Sequence, residues 1–222
     1  MKKYDLIREG KLFRIIALKD FGFIKKGELG GLIEKESNLS QKNECWIHEN
    51  AKVTGNAEVS GNAQISGNAL VSGDAEVTEN AEVTGNALVS GDTEVSGNAK
   101  VYSTAYVSGK AKVYGNAKVS GDAEVSGKAK VYGNASVTGN AEVSGNAQIF
   151  GNTLVSGNAE VSGNAEVSGD AYVSDDALVS DDALVYGNAY VSGKAKVYGN
   201  AYVSGKAKVY GNALVLNTGF FN

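Results

Sequence analysis

The sequence predicts an all-β fold, a single strand of chain wound into a parallel β-solenoid, and three observations carry that prediction. From Ala51 to Thr218 a six-residue unit of the form Ala-x-Val-x-Gly-Asn recurs about 28 times without insertion or deletion. The alanine and the aliphatic residue stand two apart, as in Ala57/Val59, Ala63/Ile65 and Ala141/Val143, so an extended segment turns both to one face. The alternate positions hold Glu, Lys, Gln, Tyr, Leu, Ser or Thr, which gives each unit an apolar inside and a mostly polar outside. Gly-Asn or Gly-Asp then closes the unit, and both residue types tolerate positive φ, which marks a sharp corner.

Strands of three or four residues are not stable alone, and the corners come too often for hairpins. The corners therefore wind a coil. Three units make a triangular turn of about 18 residues in which each strand hydrogen-bonds to those above and below, and Ala and Val fill the interior. At about 4.8 Å per coil, about nine coils give a prism on the order of 45 Å long. Proline is absent, as continuous ladders require. Burying a Val contributes roughly 1.5–3 kcal/mol, so one coil with three of them does not offset the ordering of its backbone, and only the stack is stable.

The motif Val-Ser-Gly-Asn-Ala-Glu, present at Val161 to Glu166 and with Gln for Glu at Val59 to Gln64, resembles the hexapeptide repeat of left-handed β-helices. Left-handed coiling is what this resemblance implies, since periodicity does not fix the hand and parallel crossovers ordinarily favour the right. The Gly-Asn-Ala-rich units are more closely similar to the YdcK-type β-solenoid repeat proteins of bacteria and their phages. The leader segments Ala17 to Gly22, Lys26 to Gly31 and Asn38 to Ser40 resemble the stretch that precedes the repeats in those proteins. The resemblance covers nearly the whole chain and implies fold and architecture, but no defined activity.

In chain order, Tyr4 to Arg8 and Leu12 to Leu18 flank a Glu9-Gly10-Lys11 break and read as a hairpin. Lys25 to Gly31 reads as a Gly-rich loop. Leu32, Ile33 and Leu39 are expected to pack on the first coil, and Cys45 and Ile47 already hold the Ala/Val register. Residues 1–44 are thus an N-terminal β cap, because an open solenoid end exposes core and unpaired strand groups. Residues 45–218 form the solenoid and 219–222 a tail, with Leu214 to Leu216 and Phe220-Phe221 expected to cover the last coil.

The 222 residues carry a formal charge of −4, which gives no reason to expect nucleic acid as a partner. One cysteine, Cys45, excludes an internal disulfide framework and fits a reducing compartment. No signal-peptide core follows Met1-Lys2-Lys3 and no apolar run reaches the roughly 20 residues of a membrane span, so a cytoplasmic protein is expected. Charge is banded along the chain. Val53 to Ala99 has acidic residues and no Lys or Arg, Lys100 to Lys130 is mainly basic, Val131 to Asp182 is acidic, and Leu184 to Asn222 has only Lys. These bands read either as solvated faces varied to stop like charges stacking, or as a charge ruler for a partner or for staggered self-association.

His48, the one histidine, is the weak candidate for a catalytic base. Acyltransferases built on left-handed β-helices, the enzymes that the hexapeptide resemblance brings in, generally use a His, together with inserted loops that hold coenzyme A. The coils here hold no His and no inserted loop, so a coenzyme A-dependent acyltransferase, or a degenerate relative of one, is the alternative reading only. No cofactor and no metal are expected. Asp175/Asp176 and Asp181/Asp182 fall on adjacent corners, too far apart to converge on a cation, and the glycines lack the Lys and strand-to-helix context of a phosphate loop.

Residues 18 apart share a line on one face, and the candidate interaction surface is the line Tyr114, Tyr132, Phe150 and, after Ser168, Tyr186, with Lys112 and Lys130 alongside. Two further outward lines hold Leu70, Leu88, Tyr106 and Leu154, Tyr172, Tyr190. Such ladders suit a lateral protein interface or a groove that stacks flat rings, although repeat duplication also produces them. A row of hydroxyls from Thr54 to Ser180 is accompanied by too irregular a neighbour line to match an ice lattice. The sequence therefore reads as a non-enzymatic rigid structural or protein-interaction module, with a homo-oligomer, trimer or dimer, expected through the ring line, and an unidentified protein partner.

Overall fold

The computed structural model describes residues 2–216 and the strand Phe220–Phe221. Short strands, nearly all of two residues, recur every six residues from Lys52–Val53 to Lys208–Val209. Each pairs in parallel with the strands one coil before and after, as Leu88 does with Leu70 and Tyr106, which sets a coil of about 18 residues. Among the described residues these strands stack into sheets of 13, 10 and 10 strands, one for each side of the coil. We call the sides the serine face (Lys52–Val53, Leu70–Val71 and onward), the ring face (Glu58–Val59, Glu76–Val77 and onward) and the third face (Trp46–Ile47, Gln64–Ile65 and onward).

The repeat alanines and valines point inward and are fully buried along almost the whole stack. Thr93 and Thr153 stand where alanine is usual and are equally buried. Thr153 Oγ1 donates to the Phe150 carbonyl at 2.6 Å, whereas Thr93 Oγ1 has no hydrogen-bond partner among the described residues. The backbone ladder runs through corners as well as strands. In one coil Lys112 N donates to Ala129 O at 2.9 Å, Tyr114 N to Val131 O at 3.0 Å and Asn116 N to Gly133 O at 2.7 Å.

At the corners the two residue types divide the work differently from the sequence expectation. Glycine alone of the Gly-Asn pair takes the positive φ, as Gly97 does at 71°, where an added Cβ would lie 2.8 Å from both the N and the O of Gly115 in the next coil. Asparagine instead offers its side-chain amide. Asn62, Asn80, Asn98, Asn116, Asn134 and Asn152 each donate Nδ2 to the Oδ1 one coil on, at 2.8–3.1 Å, and the run ends on Asp170. Asp175 and Asp181 replace corner glycines with φ 61°, and their carboxylates accept from Gly193 N at 3.0 Å and Gly199 N at 3.1 Å.

The cap extends the serine-face sheet. Strand β1 (Tyr4–Glu9) pairs antiparallel with β2 (Leu12–Ala17), β2 pairs antiparallel with β3 (Leu29–Ile33), and β3 runs parallel to Lys52–Val53 of the first coil. The expected loop from Lys25 to Gly31 is corrected here, because Leu29, Gly30 and Gly31 belong to a strand. The physical reason is close approach. A Cβ at Gly30 would lie 2.5 Å from Ile15 Cγ1 and from the Ile47 carbonyl, and one at Gly31 would lie 2.4 Å from Ile47 Cγ2.

Trp46 occupies an outward position of the first coil, yet it is fully buried because the cap covers it. Phe21 meets its ring edge-on at 5.3 Å and Tyr4 at 6.4 Å. Lys3 is buried beside them at 1% exposure, with Nζ 2.9 Å from the Cys45 carbonyl, 3.3 Å from the Lys42 carbonyl and 3.1 Å from Cys45 Sγ. Burial pulls the Lys3 ammonium pKa down, and Cys45 partly opposes that shift. At the far end Leu214–Leu216 pairs with Lys196–Tyr198, and Phe220–Phe221 with Tyr202–Val203. The expectation that the two phenylalanine rings cover the last coil concerns side chains outside the described residues.

Candidate functional site

The ring face carries two outward columns, because each strand leaves one side chain outward before the inward valine and one after it. The leading column begins Glu58, Glu76, Glu94, Lys112, Lys130, Gln148, each paired in register with the next, and continues through Glu166, Leu184 and Tyr202. The trailing column reads Ser60, Thr78, Ser96, Tyr114, Tyr132, Phe150. Stacking at the coil repeat forces the three rings nearly parallel. Tyr114 and Tyr132 have centroids 4.9 Å apart with planes 4° apart, and Tyr132 and Phe150 are 4.8 Å and 9°.

The stack half-buries its members and also buries the small hydroxyls at its two ends, Ser96 and Ser168. Partial desolvation raises both tyrosine hydroxyl pKa values, with the Glu94 charge adding to the shift at Tyr114. Beside the stack Lys112 Nζ bridges to Glu94 Oε2 at 2.7 Å. That hydrogen bond holds the Glu94 carboxyl below its ordinary range and the Lys112 ammonium above its own. Lys130, Glu76 and Glu58 have no ion-pair partner among the described residues. A shallow depression of about 310 Å³ lies between Glu94, Ser96, Lys112, Tyr114 and Lys130.

Of the predicted surface residues the structure thus brings together Tyr114, Tyr132, Phe150, Lys112 and Lys130. Tyr186 lies on the same line two coils past Phe150, separated from the stack by Ser168, and stands 42% exposed without entering it. Glu94 was not singled out from the sequence. Its signal is the place where the leading column changes from acid to base, visible once residues 18 apart are read together. On the third face Tyr172 and Tyr190 also meet, less regularly, at 6.1 Å and 32°.

His48 is half-buried at the junction of cap and solenoid rather than free on the surface. Gln64 Nε2 donates to the carbonyls of Glu44 and Asn62, which leaves Gln64 Oε1 as an acceptor 3.1 Å from His48 Nε2. In the neutral ring the proton therefore sits on Nε2. His48, Gln64, Glu44 and Asn62 line a cavity of about 340 Å³ with Gly22, Ile24 and the fully exposed Phe23. Among the described residues no group of His, Cys, Asp and Glu is placed to hold a metal ion, and no helix is long and apolar enough to cross a membrane.

A family model described as the YdcK β-solenoid repeat matches residues 63–78, within the early coils. A search of curated proteins found no match.

Proposed function

We propose that this chain, whose repeat match and stacked coils are consistent with a YdcK-type β-solenoid repeat protein, is a rigid, non-enzymatic module that presents its ring face as a protein-contact surface. The observation that carries the reading is the parallel stack of Tyr114, Tyr132 and Phe150 beside a column of charges. A flat aromatic strip edged by charge has the composition of an interface centre and rim, and the coil ladder beneath it holds it stiff. Left-handed coiling, a homo-oligomeric state and a cytoplasmic location belong to the same reading.

Acyl transfer is the weaker alternative. In its favour is His48 on the wall of the cap cavity, and against it is the regular six-residue spacing of strands from Lys52 to Val209, which leaves no loop to grip an acyl carrier. Site-specific photo-crosslinking tests the preferred reading. Benzoylphenylalanine in place of Tyr132 is expected to give defined protein adducts, while the same group in place of Ser126 on the serine face gives none. Equal yields at the two positions would overturn it.

A further inference from the structure

From Glu58 to Gln148 the leading column of the ring face is complementary to itself when reversed. It is three glutamates, two lysines and a glutamine, with the sign changing between Glu94 and Lys112, and the residues that follow in the column, Glu166, Leu184 and Tyr202, lie beyond the matched stretch. From this we propose that the partner on the ring face is a second copy of this chain, packed antiparallel about a two-fold axis that lies along the strands between the coils of Glu94 and Lys112. The inference rests on the reading that the ring face is a contact surface, and it adds the partner, the orientation and the register.

The geometry follows from the symmetry. Two flat faces related by a two-fold along the strand direction keep each column opposite the same column of the partner and reverse its order. Glu94 then faces Lys112 of the second copy, Glu76 faces Lys130, and Glu58 faces Gln148. Around the axis the existing Glu94–Lys112 bridge of each copy joins its mate in an alternating quartet of charges. Next to it Glu76 and Lys130, which have no ion-pair partner among the described residues, find one in the other copy.

The trailing column matches by shape under the same operation. Tyr114, Tyr132 and Phe150 of one copy lie over Ser96, Thr78 and Ser60 of the other, so a ridge of rings meets a row of small hydroxyls. Six coils at about 4.8 Å make a contact about 29 Å long. A parallel arrangement about the solenoid axis would instead lay each column over the other, setting Glu58, Glu76 and Glu94 against Ser60, Thr78 and Ser96 and leaving those carboxylates with no cation opposite. The serine face lacks this property, since its outward column runs through Glu124, Glu142 and Glu160 without a lysine block to answer them.

The test is a charge swap followed by sedimentation. The wild type is expected to dimerise at tens of micromolar, more weakly as salt rises. One variant, Glu76→Lys with Glu94→Lys, makes the four central positions of the stretch all lysine, and another, Lys112→Glu with Lys130→Glu, makes them all glutamate. Each alone should dimerise about a hundredfold more weakly or worse, and an equimolar mixture should restore a one-to-one dimer, which also proves both variants folded. Orientation is read separately. Glu58→Cys mixed with Gln148→Cys should form an intermolecular disulfide on oxidation, while Glu58→Cys alone should not. A monomeric or trimeric wild type, a charge variant that dimerises like the wild type, a mixture that stays monomeric, or a Glu58→Cys homodimer would each overturn the proposal. If those results come with position-specific crosslinks at Tyr132 to another protein, the contact-surface reading survives while the second copy does not; loss of the crosslinks fails the reading itself.

Discussion

Replacing Gly31 by alanine should peel the cap from the solenoid. The backbone at Gly31 is outside the left-handed region, so the effect is purely one of space. The new Cβ would lie 2.4 Å from Ile47 Cγ2, 2.5 Å from the Ala51 carbonyl and 2.7 Å from the His48 carbonyl. Ordinary contacts between such atoms are about 3.5 Å, so all three neighbours must withdraw by about 1 Å, and two of them are backbone of the first coil. If the strands stay together the overpacking costs about 1–3 kcal/mol. If β3 backs away it loses the bonds from Leu32 N to Ala51 O at 3.0 Å and from Glu34 N to Val53 O at 3.1 Å, each contributing about 0.5–1.5 kcal/mol net. Either way the loss is about 1–3 kcal/mol, and because repeat stability is a sum over neighbours it should stay local. Hydrogen exchange should show the Leu32 and Glu34 amides deprotected while those of Tyr132 and Phe150 keep their protection. Gly10→Ala is the control, since nothing lies within 4 Å of its Cβ and only its φ of 66° opposes the change. Wild-type protection at Leu32 in Gly31→Ala would refute the account of how the cap docks.

Thr93→Ala removes a buried hydroxyl that has no partner, and Thr153→Ala removes one that donates to Phe150 O, so the first should stabilise by about 1 kcal/mol and the second destabilise by about as much; urea denaturation of both variants checks the sign of each. Asn116→Ala breaks the amide ladder at Asn98 and at Asn134, and a loss of about 1–2 kcal/mol is expected by the same assay, against no change for Asn188→Ala, whose side chain makes no such bond among the described residues. Lys112 depresses the Glu94 pKa, so that bridge stabilises the fold above the ordinary carboxylate range and is lost as pH falls through the folded value. Melting temperature should accordingly drop more steeply on acidification in wild type than in Lys112→Met, and parallel curves would contradict the assignment.

The coil was legible because one six-residue unit states the inside, the outside and the corner at once, and about 28 copies leave little room for another reading. The ring stack was legible for the same reason: in an uninterrupted solenoid, spacing along the sequence is spacing in the structure. What escaped was set by tertiary contact. Gly30 and Gly31 look like loop residues until Ile15 and Ile47 are seen to occupy the room that their side chains would need. Trp46 holds an outward register position, and only the antiparallel cap turns that position into core. The corner asparagines read as turn formers, yet glycine supplies the turn and the amides bond between coils, a role that depends on the register of neighbours rather than on local propensity.

The most direct test of the central claim is sedimentation velocity of the wild type beside the triple variant Tyr114→Ser, Tyr132→Ser, Phe150→Ser, at tens of micromolar and low salt. Serine is already common at that repeat position, so the coil should keep its circular dichroism and differ only in the removed rings. The account predicts a dimeric wild type and a monomeric variant of unchanged fold, whereas equal association of the two, or a strictly monomeric wild type, would contradict it.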